Sequence, residues 1–150
     1  MIEKSSSLLV SKDEVLSSIE ELENLGLDPH HDLNKCWDCL KSYKNIISEN
    51  ESKTNIRILD AGSGARPVIL RWLKRTTKFE LYVCDYVAKD SAYMIENNIT
   101  FNQCDISQTP YSDYYFDSIY SISVIEHGVD LNDFFTEMYR ILKSNGTLHI

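Results

Sequence analysis

Three observations predict an α/β fold built on a doubly wound parallel sheet. The run Arg57-Ile58-Leu59-Asp60-Ala61-Gly62-Ser63-Gly64-Ala65-Arg66-Pro67 reads as a buried strand, a glycine turn and the first turn of a helix. Strand-like apolar runs and helical patterns then alternate along the chain. Three of those strands end in an acid: Asp60, Asp85 and Asp105. Strand ends in such a sheet open on one crevice, where nucleotide-like ligands bind. Mutually repelling carboxylates there are hard to explain by packing, and make sense against a cationic, hydroxyl-rich ligand.

Composition narrows the class. The chain has 150 residues, 43% of them hydrophobic, enough for one domain with a real core. Its formal charge is −8, from 15 basic and 23 acidic residues, with no basic stripe of the kind that grips a phosphate backbone. No apolar run approaches the roughly 18 residues of a membrane span. The N-terminus has no signal-peptide pattern. A cytoplasmic protein that binds neither nucleic acid nor membrane is expected.

Residues 11 to 50 are expected to be helical. Ser11 with Glu14 forms a capping-box signature, Val15, Ile19 and Leu22 repeat at helical spacing, and Gly26 can end the helix. Pro29 is expected to open a second helix with Leu33, Cys36, Trp37, Leu40, Tyr43 and Ile47 on its apolar face. Trp37 reads as core, with cofactor or substrate contact as the rival explanation. Glu49 to Asn55 reads as a polar linker into the first strand. Cys36-x-x-Cys39 lies just after His30 and His31, but Cys84 and Cys104 fall on predicted strands and supply no second pair. Zinc needs four converging ligands, so reduced thiols and no metal are expected.

In the glycine turn, Gly62 and Gly64 supply backbone freedom and room for close approach to the main chain. Pro67 fits the first helical position. A dinucleotide fingerprint would need a third glycine where Pro67 stands, and Asp60 would repel a pyrophosphate but suits a ligand with an amino group. A helix over Val68–Leu73 follows, then the strand Glu80–Asp85. Asp85 lies about twenty residues beyond the glycines, where a ribose-binding acid sits in nucleotide-binding α/β folds. A carboxylate there can accept from both ribose hydroxyls. A solvated aspartate at a strand end is the plainer explanation, and a nicotinamide cofactor would suit the same spacing. Tyr86 could cover an adenine face.

A short helix around Ser91 to Glu96 leads to a third strand, Ile99 to Asp105. The fourth is expected to open at Phe116-Asp117 and to close through Ser121-Ile122-Ser123-Val124-Ile125-Glu126-His127. Leu131, Phe134, Phe135, Met138, Ile141 and Leu142 then trace a helical face, capped by Asp130 and expected to end at Lys143-Ser144-Asn145-Gly146. Arg140 is expected to pack along this helix or to form an ion pair.

Asp-x-Gly-x-Gly, the acids that end strands two and three, and "VIEHGVDLNDFFTEMYRILKSNGTLHI" together resemble the class I S-adenosylmethionine-dependent methyltransferases of small-molecule type over residues 56–150. The chain departs from that family in having Ser144-Asn145 where Pro-Gly is usual, which alters a turn and not chemistry. The resemblance implies a Rossmann-like sheet of methyltransferase type over 56–150, preceded by a helical lid over 1–50. It implies S-adenosylmethionine as cofactor, contacted by Asp60, Gly62, Ser63, Gly64, Asp85, Tyr86, Asp105, Ile106, Ser121 and Ile122. Asp105 would accept from the adenine amine, and the backbone of Ile106 would meet the ring. His127, just past the fourth strand, is the candidate base for a hydroxyl acceptor; fixing the start of the helix is the rival role for His127 and Glu126.

The expected reaction is methyl transfer to a small-molecule or sugar-like acceptor, at oxygen. The family's sheet continues beyond the fifth strand, in which Ile150 falls, so a fragment, or a chain needing a partner or a second copy, is also expected. A cofactor-binding but catalytically incomplete module of the same fold is the alternative. A nicotinamide oxidoreductase is disfavoured by Asp60 and Pro67.

Overall fold

In the computed structural model, the structure describes residues 8–62, 64, 67–87 and 91–150. The chain divides into two compact units, one up to Lys41 and the other Ser42–Ile150.

In the first unit, helix α1 spans Lys12–Asn24. The reciprocal capping box is formed: the Ser11 hydroxyl accepts from the Glu14 N–H, and the Glu14 carboxylate accepts from the Ser11 N–H. Gly26 is left-handed just past the helix end, as its position suggested. The second helix does not open at Pro29. Asp32 accepts from the Asn34 N–H and caps a single 3₁₀ turn, Leu33–Lys35, before α2 runs Cys36–Asn50. Leu33 is consequently exposed, while Cys36, Cys39 and Leu40 are buried.

In the second unit, α2 presents Tyr43 and Ile46, not Ile47, as its buried apolar positions. It also runs into the segment expected to be a linker. Asn50 is buried, and its amide donates to the Ile46 carbonyl at 2.8 Å and to the Ser118 hydroxyl at 3.0 Å. A polar residue reads as linker when its partner lies 68 positions away.

The sheet comprises β1 (Arg57–Ala61), β2 (Glu80–Asp85), β3 (Thr100–Gln103), β4 (Phe116–Tyr120) and β5 (Leu142–His149). All neighbours run parallel, in the order β3-β2-β1-β4-β5. Helices α3 (Val68–Thr76), α4 (Ser91–Glu96) and α5 (Leu131–Ile141) make the crossovers. Strand side chains alternate between faces, so the register assigns the layers. Ile58, Ser118 and Thr147 lie in one cross-strand row, and α2 reaches that face through Asn50. Helix α3 stands beside α2, with Trp72 edge-on to Tyr43 and Thr76 accepting from the Tyr43 hydroxyl. On the opposite face Leu59, Ala61, Cys84 and Ile119 pack with Phe134, Met138 and Ile141 of α5.

Several boundaries differ from expectation. The third strand stops at Gln103, so Asp105 lies two residues past its end, where its turn onto the Ser107 N–H breaks the extension. Pro67 precedes the first residue of α3 as its cap, not as its first turn. The fourth strand ends at Tyr120, because the chain turns at Ser121 and passes through a left-handed Ser123 (φ 57°) into a 3₁₀ turn, Ile125–His127. Helix α5 stops at Ile141, and the segment expected to end it lies inside β5. Leu142 pairs with Phe116 and Thr147 with Ser118, so residues 143–146 form a bulge. A Cβ at Gly146 would sit 2.9 Å from the Asp117 carbonyl, which explains glycine there. Lys143 donates to Asp117 at 2.7 Å instead of capping the helix.

Candidate functional site

The register brings the expected residues to one edge. Asp60 lies in a row with Val83 and Tyr120, and Asp85 pairs with Gln103, so Asp60, Asp85 and Asp105 stand at or just past the carboxyl ends of three adjacent strands. Directly after β1 the chain turns through Gly62 (φ 91°) and Gly64 (φ 61°), both left-handed. The Gly62 N–H donates to the Cys84 carbonyl at 2.8 Å and the Gly64 N–H to Asp85 Oδ2 at 2.7 Å. The turn is thus stitched to the end of β2. Ser63 lies outside the described residues.

Asp85 is 9% exposed, and its other oxygen accepts from the Val87 N–H at 2.8 Å. An ionised carboxylate offers about four lone-pair sites, so two backbone donors orient Asp85 and leave capacity for hydroxyl donors. Tyr86 is 75% exposed beside it, and its carbonyl accepts from the Gln103 amide. Asp105 is exposed and forms an Asx turn, its Oδ1 accepting from the Ser107 N–H at 2.8 Å, while the neighbouring Ile106 is buried in the core against α5.

Other expected residues are placed differently. Ser121 is buried, and its hydroxyl donates to the Ala61 carbonyl at 2.8 Å, tying the exit of β4 to β1. Ile122 follows it, half-buried. His127 is exposed at the end of its 3₁₀ turn, held through its N–H donating to the Val124 carbonyl.

Two residues at this edge escaped the sequence reading. Tyr120 donates its buried hydroxyl to Asp60 Oδ2 at 2.8 Å. Val124 folds back over the glycine turn so closely that a Cβ on Gly62 would lie 2.7 Å from its Cγ1. The signal for Tyr120 was its place near the end of a strand beside the acid; Val124 gave none beyond being apolar.

The remaining chemistry is thiol chemistry. Cys84 is buried, and a hydrogen bond with Cys104, then burial, hold its thiol well above the ordinary range. Cys36 points at the His30 carbonyl, while His30 Nδ1 is taken up by the Asp32 N–H. Among the described residues no group of three or more His, Cys, Asp or Glu could hold a metal ion. No described helix is long and apolar enough to cross a membrane.

Strand order, strand direction and the acids at the carboxyl edge define a Rossmann-like doubly wound fold of the class I methyltransferase type. Residues 59–150 match the profile of a family described as Methyltransferase domain, and the chain belongs to that family. Among solved structures it is similar to the Bacillus subtilis YcgJ protein, with 25% identity and a TM-score of 0.60 over 72% of this chain and 49% of that one. It is also similar to Haemonchus contortus phosphoethanolamine N-methyltransferase 2 in complex with S-adenosyl-L-methionine, at 22% identity and a TM-score of 0.59 over 72% of this chain and 27% of that one. The [4+2]-cyclase SpnF matches at 19% identity and a TM-score of 0.63, over 91% of this chain and 55% of its own. The chain therefore spans between about a quarter and about a half of these proteins. A cyclase among them shows that the fold alone does not name a reaction.

Proposed function

We propose that this chain is the cofactor-binding core of an S-adenosylmethionine-dependent methyltransferase acting on a small-molecule or sugar-like acceptor, at oxygen. The observation that carries the reading is the left-handed glycine turn hydrogen-bonded to Asp85, in line with Asp60 and Asp105 at one sheet edge. These residues fit the cofactor's chemistry. The buried carboxyl of Asp60 suits an ammonium group. The backbone of Gly62 and Gly64 can lie beside the amino-acid portion. Asp85 is oriented to accept from ribose hydroxyls, Tyr86 to flank the adenine, and Asp105 and Ile106 to read its amine and ring. Ser121 and Ile122 would line the far side through their backbone. Family membership and the Haemonchus structure, whose ligand is S-adenosyl-L-methionine, support the same cofactor.

The bound cofactor supplies an electrophilic sulfonium methyl group. What the chain must do is align the acceptor, exclude water and, for a hydroxyl, remove a proton. His127 is our candidate for that last task, because its exposed imidazole lies past the end of β4, beyond Ser121 and Ile122. Residues 1–50 would act as the lid and 56–150 as the core. The acidic composition and free cysteines support a cytoplasmic setting.

Calorimetric titration of the 150-residue chain with S-adenosylhomocysteine, with NADH as control, tests the cofactor. Micromolar binding to the former alone, lost in Asp85→Ala, is expected. Binding of NADH alone by a folded chain would refute the reading. His127→Ala should then abolish turnover of hydroxyl acceptors while cofactor affinity holds.

A further inference from the structure

Side chains of helix α5 grip the loop between β3 and β4 at three residues, Thr109, Tyr111 and Asp113. Glu137 is buried, and its Oε1 accepts from both the N–H (2.7 Å) and the hydroxyl of Thr109. Arg140, one helical turn on, forks onto the same carboxylate, with Nε to Oε2 at 2.8 Å and Nη2 to Oε1 at 2.7 Å. Its Nη1 donates outward to the Tyr111 carbonyl at 2.8 Å and to Asp113 Oδ1 at 2.7 Å. Burial opposes ionisation of Glu137, but the hydrogen bonds from Arg140 and Thr109 outweigh it and hold the pKa below 4.5.

Stability alone does not account for this arrangement, because Arg140 is one third exposed and an ion pair open to solvent on one side contributes little. A guanidinium fork does what an apolar pair cannot: it fixes backbone points in direction as well as distance. The loop so fixed carries Asp105 and Ile106. Ile106 is in the core against α5, and Asp105 closes a turn with Ser107 and Gln108 that leads straight to Thr109. The carboxylate of Asp105 is therefore held between the end of β3 and an anchor four residues later.

We propose that Glu137 and Arg140 are positioning residues for nucleobase recognition, fixing the β3–β4 loop so that Asp105 is held where it accepts from the exocyclic amine of a bound adenine. The proposal rests on the role given above to Asp105 and Ile106. Neither Glu137 nor Arg140 touches the ligand; both act through the loop.

The test compares S-adenosylhomocysteine with S-inosylhomocysteine, in which a carbonyl replaces the exocyclic amine and nothing at that position donates. Dissociation constants are measured by calorimetry on the full chain for wild type, Asp105→Ala, Glu137→Gln, Arg140→Lys and Thr109→Ala. A hydrogen bond to a carboxylate corresponds to a preference of about tenfold or more for the adenine compound in the wild type. Asp105→Ala should remove that preference, and the three loop variants should each shrink it to within about threefold. General loosening would weaken both ligands alike and leave the ratio untouched, so the ratio reports positioning. Thr109→Ala keeps the Glu137–Arg140 pair and supplies a folded variant if the others unfold. A ratio preserved in the folded loop variants but lost in Asp105→Ala overturns the proposal alone. A wild-type chain that binds neither compound, or both equally, overturns the Asp105 reading and this proposal with it.

Discussion

Gly62→Ala is the sharpest perturbation the structure offers. The new Cβ would lie 2.7 Å and 2.9 Å from the two methyls of Val124, whereas carbon atoms rest at about 3.5–4.0 Å. Val124 is 9% exposed and cannot swing freely into solvent. The φ of 91° adds a second penalty, about 1–2 kcal/mol for an L-residue held left-handed. Overpacking adds about 1–3 kcal/mol. Together the substitution should destabilise the protein by about 2–5 kcal/mol, lowering Tm by about 5–15 °C for a chain of this size.

The two contributions separate in a double-mutant cycle. Val124→Ala alone removes two buried methyls, worth about 1–2 kcal/mol. In the Gly62→Ala background it also removes the clash, so the double variant should be more stable than the sum of the singles by about 1–3 kcal/mol. The φ penalty remains. Urea unfolding followed by circular dichroism measures all four corners. Strict additivity, or a Gly62→Ala protein that melts with the wild type, would refute the proximity of Val124 to the turn. Because the turn delivers the Gly64 N–H to Asp85, the same variant should bind S-adenosylhomocysteine more weakly even at temperatures where it is fully folded.

Two further outcomes follow from buried polar groups at the sheet's carboxyl edge. Tyr120→Phe deletes a buried hydrogen bond to Asp60 and should cost about 1.5–3 kcal/mol in urea unfolding. It should also weaken S-adenosylhomocysteine more than 5′-methylthioadenosine, which lacks the amino group assigned to Asp60; equal weakening would separate Tyr120 from that role. His149 ends β5 nearly buried, its Nε2 facing Glu49 at 3.3 Å without a well-aligned hydrogen bond. Burial, opposed by Glu49, lowers its pKa below 6.5 in the folded state. The unfolded chain therefore takes up the proton first, and stability should fall as pH drops below 6.5 toward the folded-state value. A urea midpoint lower at pH 5.5 than at pH 7.5, with the difference reduced in His149→Gln, is the expected result; a midpoint that rises would invert the sign and refute the assignment.

What was legible in the sequence, and what was not, divides by range of interaction. The capping box at Ser11, the Asp130 cap and the glycine turn are local, and each sits where its residue types place it. Asp85 ends β2 as expected, because strand period and turn composition mark that stop. By contrast, β3 was read two residues too long, since Cys104 and Asp105 are compatible with continued extension. The fourth strand was read too long because Ser121 to Ile125 is compatible with continued extension. Two contacts with β1 and the turn after it stop it: the Ser121 hydroxyl on the Ala61 carbonyl and Val124 over Gly62. Glu137 and Arg140 look locally like an ordinary pair three apart on a helix surface, where such pairs contribute little. Thr109, 28 residues earlier, makes the pair an anchor for the loop, and that partnership has no local spacing to betray it. At this edge the sequence pattern marks carboxylates suited to bind a ligand, and long-range packing determines which neighbours hold them still. Substitutions at the second set should therefore alter ligand discrimination without removing a single ligand contact.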